Sequence, residues 1–277
     1  MQLKINNRLF DFSIPVVMGI INVTPDSFYA DSRHKTSAKI LHSVEKIITD
    51  GGKIIDLGGY STRPMADDVL IAEEISRLSH SLEIILKEFP DIIISVDTFR
   101  SEVARHVVHN YKIAIINDIG GGTLDENMFA TIADLKVVYI LMHTRGTPAT
   151  MTKLTDYNNV TAEVIGFLET QLHKLRNLGV NDVIVDPGFG FAKTLEHNYQ
   201  LLKDFPCFSI LNAPVLAGIS RKKMIYGLLD TDAMHALNGT TAANMLALMG
   251  GASILRVHDV KEAVEAVKIY EKYVNIK

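Results

Sequence analysis

The sequence has little of what several classes of protein require. Its single cysteine, Cys207, cannot close an intramolecular disulfide or build a thiolate zinc site, and we expect it to be a small buried side chain. No apolar run approaches the roughly 18 residues that cross a bilayer. The formal net charge of −4, from 28 basic and 32 acidic residues, provides no basic field for a phosphodiester backbone. These absences exclude a disulfide-rich scaffold, a transmembrane helix and a general nucleic-acid-binding protein.

The first residues also lack the apolar segment of a signal peptide, since Met1 to Phe12 alternates polar and apolar side chains. Hydrophobic residues make up 47% and charged residues 22% of the chain, which is the balance of an ordinary globular protein. We therefore expect a cytoplasmic protein that binds neither nucleic acid nor membrane.

Short β-branched runs alternate with longer helical patterns along nearly the whole chain. Each run is almost continuously apolar, which is expected when helices cover both faces of a parallel sheet. The predicted strands are Val16–Val23, Lys53–Leu57, Ile92–Asp97, Ile113–Asn117, Val137–Met142, Val183–Asp186, Val215–Gly218 and Ile254–Val257.

The stretches between these runs carry apolar residues with a helical period. The first predicted helix follows Thr36 and Ser37, which are suitable N-caps, and ends at Gly51. Another covers Asn159–Leu178, and the last begins at about Asp259.

Eight strands, each followed by a helix, in about 260 residues predict a (β/α)₈ TIM barrel within a single domain over residues 1–277. An open doubly wound sheet is the alternative, but it would be better supported by a G-x-G-x-x-G after the first strand, and that motif is missing. Leu3–Phe12 resembles a hairpin around Asn6 and Asn7, which we expect to close the bottom of the barrel.

Active sites of such barrels lie at the carboxyl ends of the strands, so the residues at these ends are the candidates for function. One capping residue there is common, whereas eight polar strand ends around one mouth indicate a functional site. These residues are Asn22, the segment 61–64, Asp97, Asn117, His143, Asp186, the segment 220–222, Arg256 and His258.

The side chains indicate which ligand would fit. Carboxylates accept hydrogen bonds, amides donate and accept, and ammonium groups donate. Four of these side chains would suit a flat heterocycle that has amino and ring N–H donors and a nearby carbonyl. They are Asp97, Asn117, Asp186 and Lys222. An anionic, phosphorylated group suits Asn22, Arg256 and His258, with Arg63 as a further cationic arm.

Several individual features allow other interpretations. Gly120 to Gly122 could cradle a phosphate through backbone N–H groups or could be a flexible connection. Lys222 could form a Schiff base, as in aldolase-type barrels. The histidines show no zinc-binding spacing, so any metal is expected to be a hard cation carried by substrate phosphates and Asn22. Met142 and Phe191 suit the core as well as a ligand platform.

Eight motifs in order resemble the dihydropteroate synthase family from Met18 to the C-terminus. They are Met-Gly-Ile-Ile-Asn-Val-Thr-Pro-Asp-Ser-Phe (18–28), Ser-Thr-Arg-Pro (61–64), Ser-Val-Asp-Thr-Phe-Arg (95–100), Ile-Asn-Asp-Ile (116–119), Met-His (142–143), Asp-Pro-Gly-Phe-Gly-Phe (186–191), Ser-Arg-Lys (220–222) and Arg-Val-His-Asp-Val (256–260). The resemblance implies a barrel, usually homodimeric, that joins 7,8-dihydropterin-6-ylmethyl diphosphate to 4-aminobenzoate. It implies pyrophosphate and 7,8-dihydropteroate as products, and Mg²⁺ as cofactor.

The resemblance also implies a role for each matching residue. The implied catalytic residues are Asp97, Lys222, Arg256 and His258. The implied pterin diphosphate site is Asn22, Thr62, Asp97, Asn117, Met142, Asp186, Phe191, Lys222, Arg256 and His258, with Asn22 on Mg²⁺. The implied 4-aminobenzoate site is Phe28, Arg63, Pro64, Phe189, Ser220 and Lys222, with Ser220 at the start of a helix.

The chain departs from the family pattern at Tyr60, Met65, Arg145 and Ala192, in loops or at the rim of the pocket. These changes bear on 4-aminobenzoate and sulfonamide binding. A pterin-binding methyl-transfer module is a rival function, but the D-x-H-x-x-G cobalamin motif is missing. A pterin-binding homologue without activity is another rival, and the leaving-group residues Asn22, Arg63, Lys222 and His258 argue against it.

Overall fold

The computed structural model describes residues 1–6, 8–23, 33–60 and 69–276, without the side chains of 33–36. A two-stranded antiparallel hairpin precedes a sheet of eight parallel strands whose neighbours run β8-β7-β6-β5-β4-β3-β10-β9. The strands are β1 (Gln2–Ile5), β2 (Arg8–Asp11), β3 (Val16–Asn22), β4 (Ile54–Gly58), β5 (Ile93–Asp97), β6 (Ile115–Asp118), β7 (Val138–Met142), β8 (Val183–Asp186), β9 (Leu216–Ala217) and β10 (Ile254–Val257).

The two ends of the eight-stranded sheet meet beside β9. An isolated parallel bridge joins Val185 to Val215, and the Val185 amide donates to the Pro214 carbonyl at 2.9 Å. The sheet therefore closes into the predicted (β/α)₈ barrel, and the open-sheet alternative is wrong.

Helices surround the barrel and cover its outer face. They are α1 (Arg33–Thr49), α2 (Ile71–Glu88), α3 (Ser101–Tyr111), α4 (Met128–Leu135), α5 (Val160–Asn177), α6 (Leu195–Lys203), α7 (Lys223–Tyr226), α8 (Leu237–Met249) and α9 (Val260–Val274). The large core cluster lies between these helices and the outward-facing strand residues. Every residue of β4 and β7 is buried, as expected for strands covered on both faces.

A second apolar cluster fills the lower interior of the barrel, and the hairpin closes it from below. Leu3, Ile5 and Phe12 pack there against inward-facing strand residues such as Ile54 and Ile140. The Lys4 amide also donates to Asp182 Oδ1 at 2.9 Å, just before β8. The predicted hairpin and its position are confirmed for the described residues, which do not include Asn7.

Two local predictions are wrong. Ser37 does not cap α1, because Arg33 already belongs to the helix; the Ser37 hydroxyl instead lies 3.2 Å from His80 Nε2. The Thr36 side chain lies outside the described part of the chain. Cys207 is exposed rather than buried, since it lies on a 3-10 helix that buries Phe205 and Phe208.

The predicted α5 is confirmed, with the Asn159 side chain accepting from the Ala162 amide at 3.0 Å. Within the described ranges, no helix has the length and apolar character needed to cross a membrane.

Candidate active site

A layer of polar side chains lies directly above the apolar cluster inside the barrel. Side chains two residues apart on a strand point the same way, so each polar residue stands one step above an apolar one. Ile54, Ile115 and Ile254 lie in the apolar cluster, and Asp56, Asn117 and Arg256 follow two positions later. Alternation along the strands therefore places these polar groups at the mouth of the barrel.

Arg256 is held between two carboxylates. Its Nε donates to Asp56 Oδ2 at 2.5 Å and its Nη2 donates to Asp97 Oδ2 at 2.8 Å. The Asn117 side-chain amide donates to the same Asp56 oxygen at 3.0 Å. Burial alone would lower the pKa of Arg256, because it disfavours the charged guanidinium. The charges of Asp56 and Asp97 outweigh this effect and raise the pKa of Arg256. Four strands thus contribute to one buried charged network.

The other side of the layer pairs a carboxylate with an ammonium. Burial raises the pKa of Asp186, and the nearby charge of Lys222 opposes this shift. The Lys222 ammonium donates to the Phe189 carbonyl at 2.5 Å, and the Phe191 ring lies 4.9 Å from it. This half of the site therefore offers a buried acceptor, a donor and an aromatic wall.

A cavity of about 380 Å³ opens above these groups. It is lined by Ile20, Asn22, Tyr60, Asp97, Asn117, Ile119, Met142, Asp186, Phe191, Gly218, Ser220, Arg221, Lys222, Arg256 and His258. The cavity suits a small planar ligand, because apolar side chains line it together with convergent donors and acceptors.

A larger cavity of about 830 Å³ lies at the opposite end of the barrel, beside the hairpin. Lys112 and Lys136 line it together with mainly apolar residues such as Val108 and Ile132. It is also lined by Asn6, Asn181 and Asp182. This cavity lies at the amino ends of the strands, whereas active sites of such barrels lie at the carboxyl ends, so we place the functional site in the smaller cavity.

Two titratable groups of the site have pKa values near neutrality. Burial raises the pKa of Asp97 to about 7, with Arg256 opposing the shift and Asp56 adding to it. Burial lowers the pKa of Lys222 to about 8, with Asp186 opposing that shift. Burial also lowers the pKa of His258, and Arg256 lowers it further. Such shifts cluster at functional sites.

The structure brings most of the predicted residues together around the cavity. Asn22, Asp97, Asn117, Met142, Asp186, Phe191, Ser220, Lys222, Arg256 and His258 all line it. Phe28, Thr62, Arg63 and Pro64 lie outside the described residues.

Two details differ from the predictions. The Phe189 ring is fully buried and stacks on Phe205, so its carbonyl rather than its ring faces Lys222. Ser220 does not begin a helix, because Arg221 has a positive φ of 53° and α7 begins at Lys223. The Ser220 hydroxyl accepts instead from the His258 amide at 3.2 Å.

The glycine run after β6 does not cradle a phosphate, which corrects a further interpretation. The amides of Gly120 and Gly122 donate to the two carboxylate oxygens of Asp118 at 2.6 and 2.8 Å. The Tyr139 hydroxyl donates to the same carboxylate at 2.5 Å. These amides therefore serve to hold the loop in place.

Asp56 is a member of the charged network that the sequence does not predict at a strand end. Its side chain is fully buried, and Oδ1 has no hydrogen-bond partner among the described residues. It lies inside a strand that is otherwise apolar, whereas the predicted site residues stand at or after the strand ends. The signal was present in the sequence, since a carboxylate within a buried apolar strand requires a partner.

The fold and the site are those of an enzyme that binds a flat, amino-substituted heterocycle, and comparisons with known proteins agree. A family model described as "Pterin binding enzyme" matches residues 18–258, and the chain belongs to that family. Dihydropteroate synthase of Haemophilus influenzae is 39% identical over 277 residues, covering 99% of this chain and 100% of the relative.

Solved structures of dihydropteroate synthases have the same fold. The Yersinia pestis enzyme, in a complex with a sulfonamide drug, has a TM-score of 0.92 at 35% identity and matches over 100% of both chains. The Xanthomonas albilineans enzyme in complex with 7,8-dihydropteroate has a TM-score of 0.87 at 32% identity, again over 100% of both chains. The resemblance found in the motifs is thereby confirmed.

Proposed function

We propose that this chain is a dihydropteroate synthase, which joins the methylene carbon of 7,8-dihydropterin-6-ylmethyl diphosphate to the amine of 4-aminobenzoate. The observation that carries this proposal is the polar layer at the barrel mouth, where Asp97, Asn117, Asp186 and Lys222 surround one cavity. Its relatives are named for this activity, and two solved relatives hold the product dihydropteroate or a sulfonamide.

The pterin ring is expected to occupy the cavity with its N–H and amino donors on the carboxylates of Asp97 and Asp186. Asn117 and Lys222 would supply donors to the ring carbonyl and ring nitrogens. As the diphosphate leaves, positive charge develops on the methylene carbon and spreads into the ring. Carboxylates at the ring edge stabilise that charge, because they are fixed in place before the reaction begins.

The leaving group is expected to lie beside Asn22, Arg256 and His258 at the rim of the cavity. The described residues contain no group of three or more His, Cys, Asp or Glu side chains that could hold a metal ion. The exposed amide of Asn22 is a hard oxygen ligand that suits Mg²⁺ carried by the diphosphate. Bound Mg²⁺ would neutralise charge on the departing diphosphate.

The amine of 4-aminobenzoate forms the new C–N bond as the C–O bond to diphosphate breaks, and the proton that the amine loses passes to the released pyrophosphate or to solvent. No side-chain nucleophile is required for this step. The protein has to hold the two reactants in line and keep water from the carbon. Ser220 and Lys222 are the described residues that we assign to the 4-aminobenzoate side, with Lys222 shared between both substrates.

The function is tested by coupled measurement of pyrophosphate release from the dihydropterin diphosphate. We expect release that requires both 4-aminobenzoate and Mg²⁺, that produces dihydropteroate in equal amount, and that stops when EDTA is added. Pterin binding without pyrophosphate release would instead favour a homologue without activity. Borohydride trapping of a substrate on Lys222 would favour Schiff-base chemistry.

The pKa values near neutrality predict a bell-shaped pH profile. Because the pKa of Asp97 is raised to about 7, this group gains a proton as the pH falls below 7 and can no longer accept from a ring N–H. Because the pKa of Lys222 is lowered to about 8, this group loses its charge as the pH rises above 8. We expect kcat/KM for the pterin diphosphate, measured from pH 5.5 to 9.5, to be greatest between these values. A flat profile would contradict the assigned roles.

We also propose a homodimer that forms through the outer face of α8 and α9. Large apolar side chains there are exposed, with Leu246 at 57%, Met249 at 50% and Ile269 at 63%. A patch of this kind on a helix pair is typical of a subunit interface.

The cytoplasmic location expected from the sequence stays a prediction.

Leu246→Glu is expected to weaken this dimer at least tenfold, because a carboxylate would be buried without a partner. Sedimentation equilibrium of both proteins measures the change. Lys112→Glu, on the exposed rim at the opposite end of the barrel, is the matched control and should leave the dimer intact. A monomeric unsubstituted protein, or an L246E dimer of normal affinity, would contradict the assignment.

A further inference from the structure

A second cluster of buried polar groups lies beneath the wall of the active-site cavity. Lys193 is 9% exposed, and its ammonium lies 3.0 Å from His143 Nδ1. The same ammonium donates to the carbonyl oxygens of Gly188 and Phe191, both at 2.9 Å. Burial lowers the pKa of Lys193. As an ammonium its nitrogen has three N–H donors, and as a neutral amine it has two donors and one lone pair, so in either state these three neighbours use all of its hydrogen-bonding capacity. Lys193 does not line the cavity itself.

The loop that receives these bonds, residues 187–192, has a backbone that regular secondary structure cannot stabilise. Gly188, Gly190 and Ala192 have positive φ angles of 72°, 80° and 50°. Gly188 also approaches the end of β7 so closely that a Cβ there would lie 2.0 Å from the His143 carbonyl oxygen. Such a backbone needs contacts from outside the loop to hold it in one conformation.

The opposite side of this loop faces the cavity. The Phe191 ring lies 4.9 Å from Lys222 Nζ, and the Phe189 carbonyl accepts from that ammonium. The Gly188 amide donates to Asp186 Oδ1 at 2.7 Å. A displacement of the loop would therefore move an aromatic wall and the partners of two charged groups together.

The contact with His143 connects Lys193 to a buried residue that directly follows β7. Its ring is 2% exposed and packs edge-on against Phe167, with ring centroids 5.0 Å apart. Burial and then the charge of Lys193 lower the pKa of His143 to about 2, so the ring is neutral and can share one hydrogen bond with Lys193 through Nδ1. The lysine thus links a rigid residue after β7 to the loop after β8.

We propose that Lys193 is a positioning residue for the pterin site, whose three hydrogen bonds hold loop 187–192 so that Phe191 and Asp186 face the pterin ring. It acts through the loop and does not contact the substrate. This inference rests on the proposed function for the identity of the ligand.

The test is binding of 6-hydroxymethyl-7,8-dihydropterin, the substrate without its diphosphate, measured by calorimetry. Lys193→Met keeps the length of the side chain but removes all three hydrogen bonds, and we expect the Kd to rise about tenfold. Lys203→Met, at the exposed far end of α6, is the matched control and should bind like the unsubstituted protein. Lys193→Gln retains two donors and replaces the methionine variant if that protein does not fold; it should show a rise of at least threefold.

A double-mutant cycle separates positioning from a general loss of stability. If Lys193 acts through the loop wall, Lys193→Met should raise the Kd much less in a Phe191→Ala background than alone. Equal effects in both backgrounds would overturn the proposal, as would normal binding by the Lys193 variants. Failure of the unsubstituted protein to bind the pterin would contradict the proposed function as well.

Discussion

Asp97→Asn is expected to reduce kcat/KM for the pterin diphosphate about a hundredfold, or about 2.7 kcal/mol in transition-state free energy. Asparagine keeps the shape of the side chain but places an N–H donor or a neutral carbonyl where the ring donors need a charged acceptor. The substitution also removes one of the two carboxylates that hold Arg256, now at 2.8 Å. Both losses occur in a site with little access to water, where unmatched polar groups are costly.

Steady-state kinetics with saturating 4-aminobenzoate measures this effect. Asp134→Asn, which changes an exposed carboxylate 68% accessible to solvent on α4, is the control and should keep full activity. If the Asp97 variant retains the kcat/KM and pterin affinity of the unsubstituted protein, the assignment of the pterin site to this cavity is wrong.

Arg256→Met is expected to lower the free energy of unfolding by about 3–5 kcal/mol and to abolish activity. Methionine fills similar space but leaves the fully buried Asp56 carboxylate without its cationic partner, at the centre of the barrel. Asn117 alone would then donate to that carboxylate. Urea unfolding measures the loss of stability.

A second substitution separates folding from activity at this position. Asp56→Asn, added to Arg256→Met, removes the unpaired charge but keeps a carbonyl acceptor for Asn117. We expect the double variant to recover most of the stability and none of the activity. Recovery of both would show that Arg256 serves the fold alone; recovery of neither would show that the charge on Asp56 is not the cause of the instability.

The barrel was predictable because its strands are buried on both faces. A run such as residues 54–58 cannot be an exposed helix or an amphipathic edge strand, so the pattern admits few structures. The site was predictable to the same extent, since parallel strands bring their carboxyl ends together. Asn117 and Asp186 were therefore expected to meet although 68 residues separate them along the chain, and both line the cavity.

The remaining errors involve contacts that depend on the path of the backbone. The direction of the Phe189 ring follows from two flanking glycines with positive φ, which a strand-and-helix pattern does not contain. The first turn of α1 includes Arg33, four residues before Ser37, because apolar periodicity identifies a helix better than it identifies its ends. Asp56 was missed because its partner Arg256 is 200 residues away, and pairing across the barrel is set by closure of the sheet.

The join between β8 and β9 has a consequence for the motions of the protein. β9 has two residues, and the join depends on the bridge between Val185 and Val215. Asp186 directly follows Val185, and Lys222 follows Val215 by seven residues. Both line the cavity, from opposite sides of the join. A pterin bound between them would contact both sides and so connect β8 and β9 across the join. Ligand binding would therefore oppose transient opening of the barrel at this join. We expect hydrogen exchange at the Val185 amide to slow as the ligand binds.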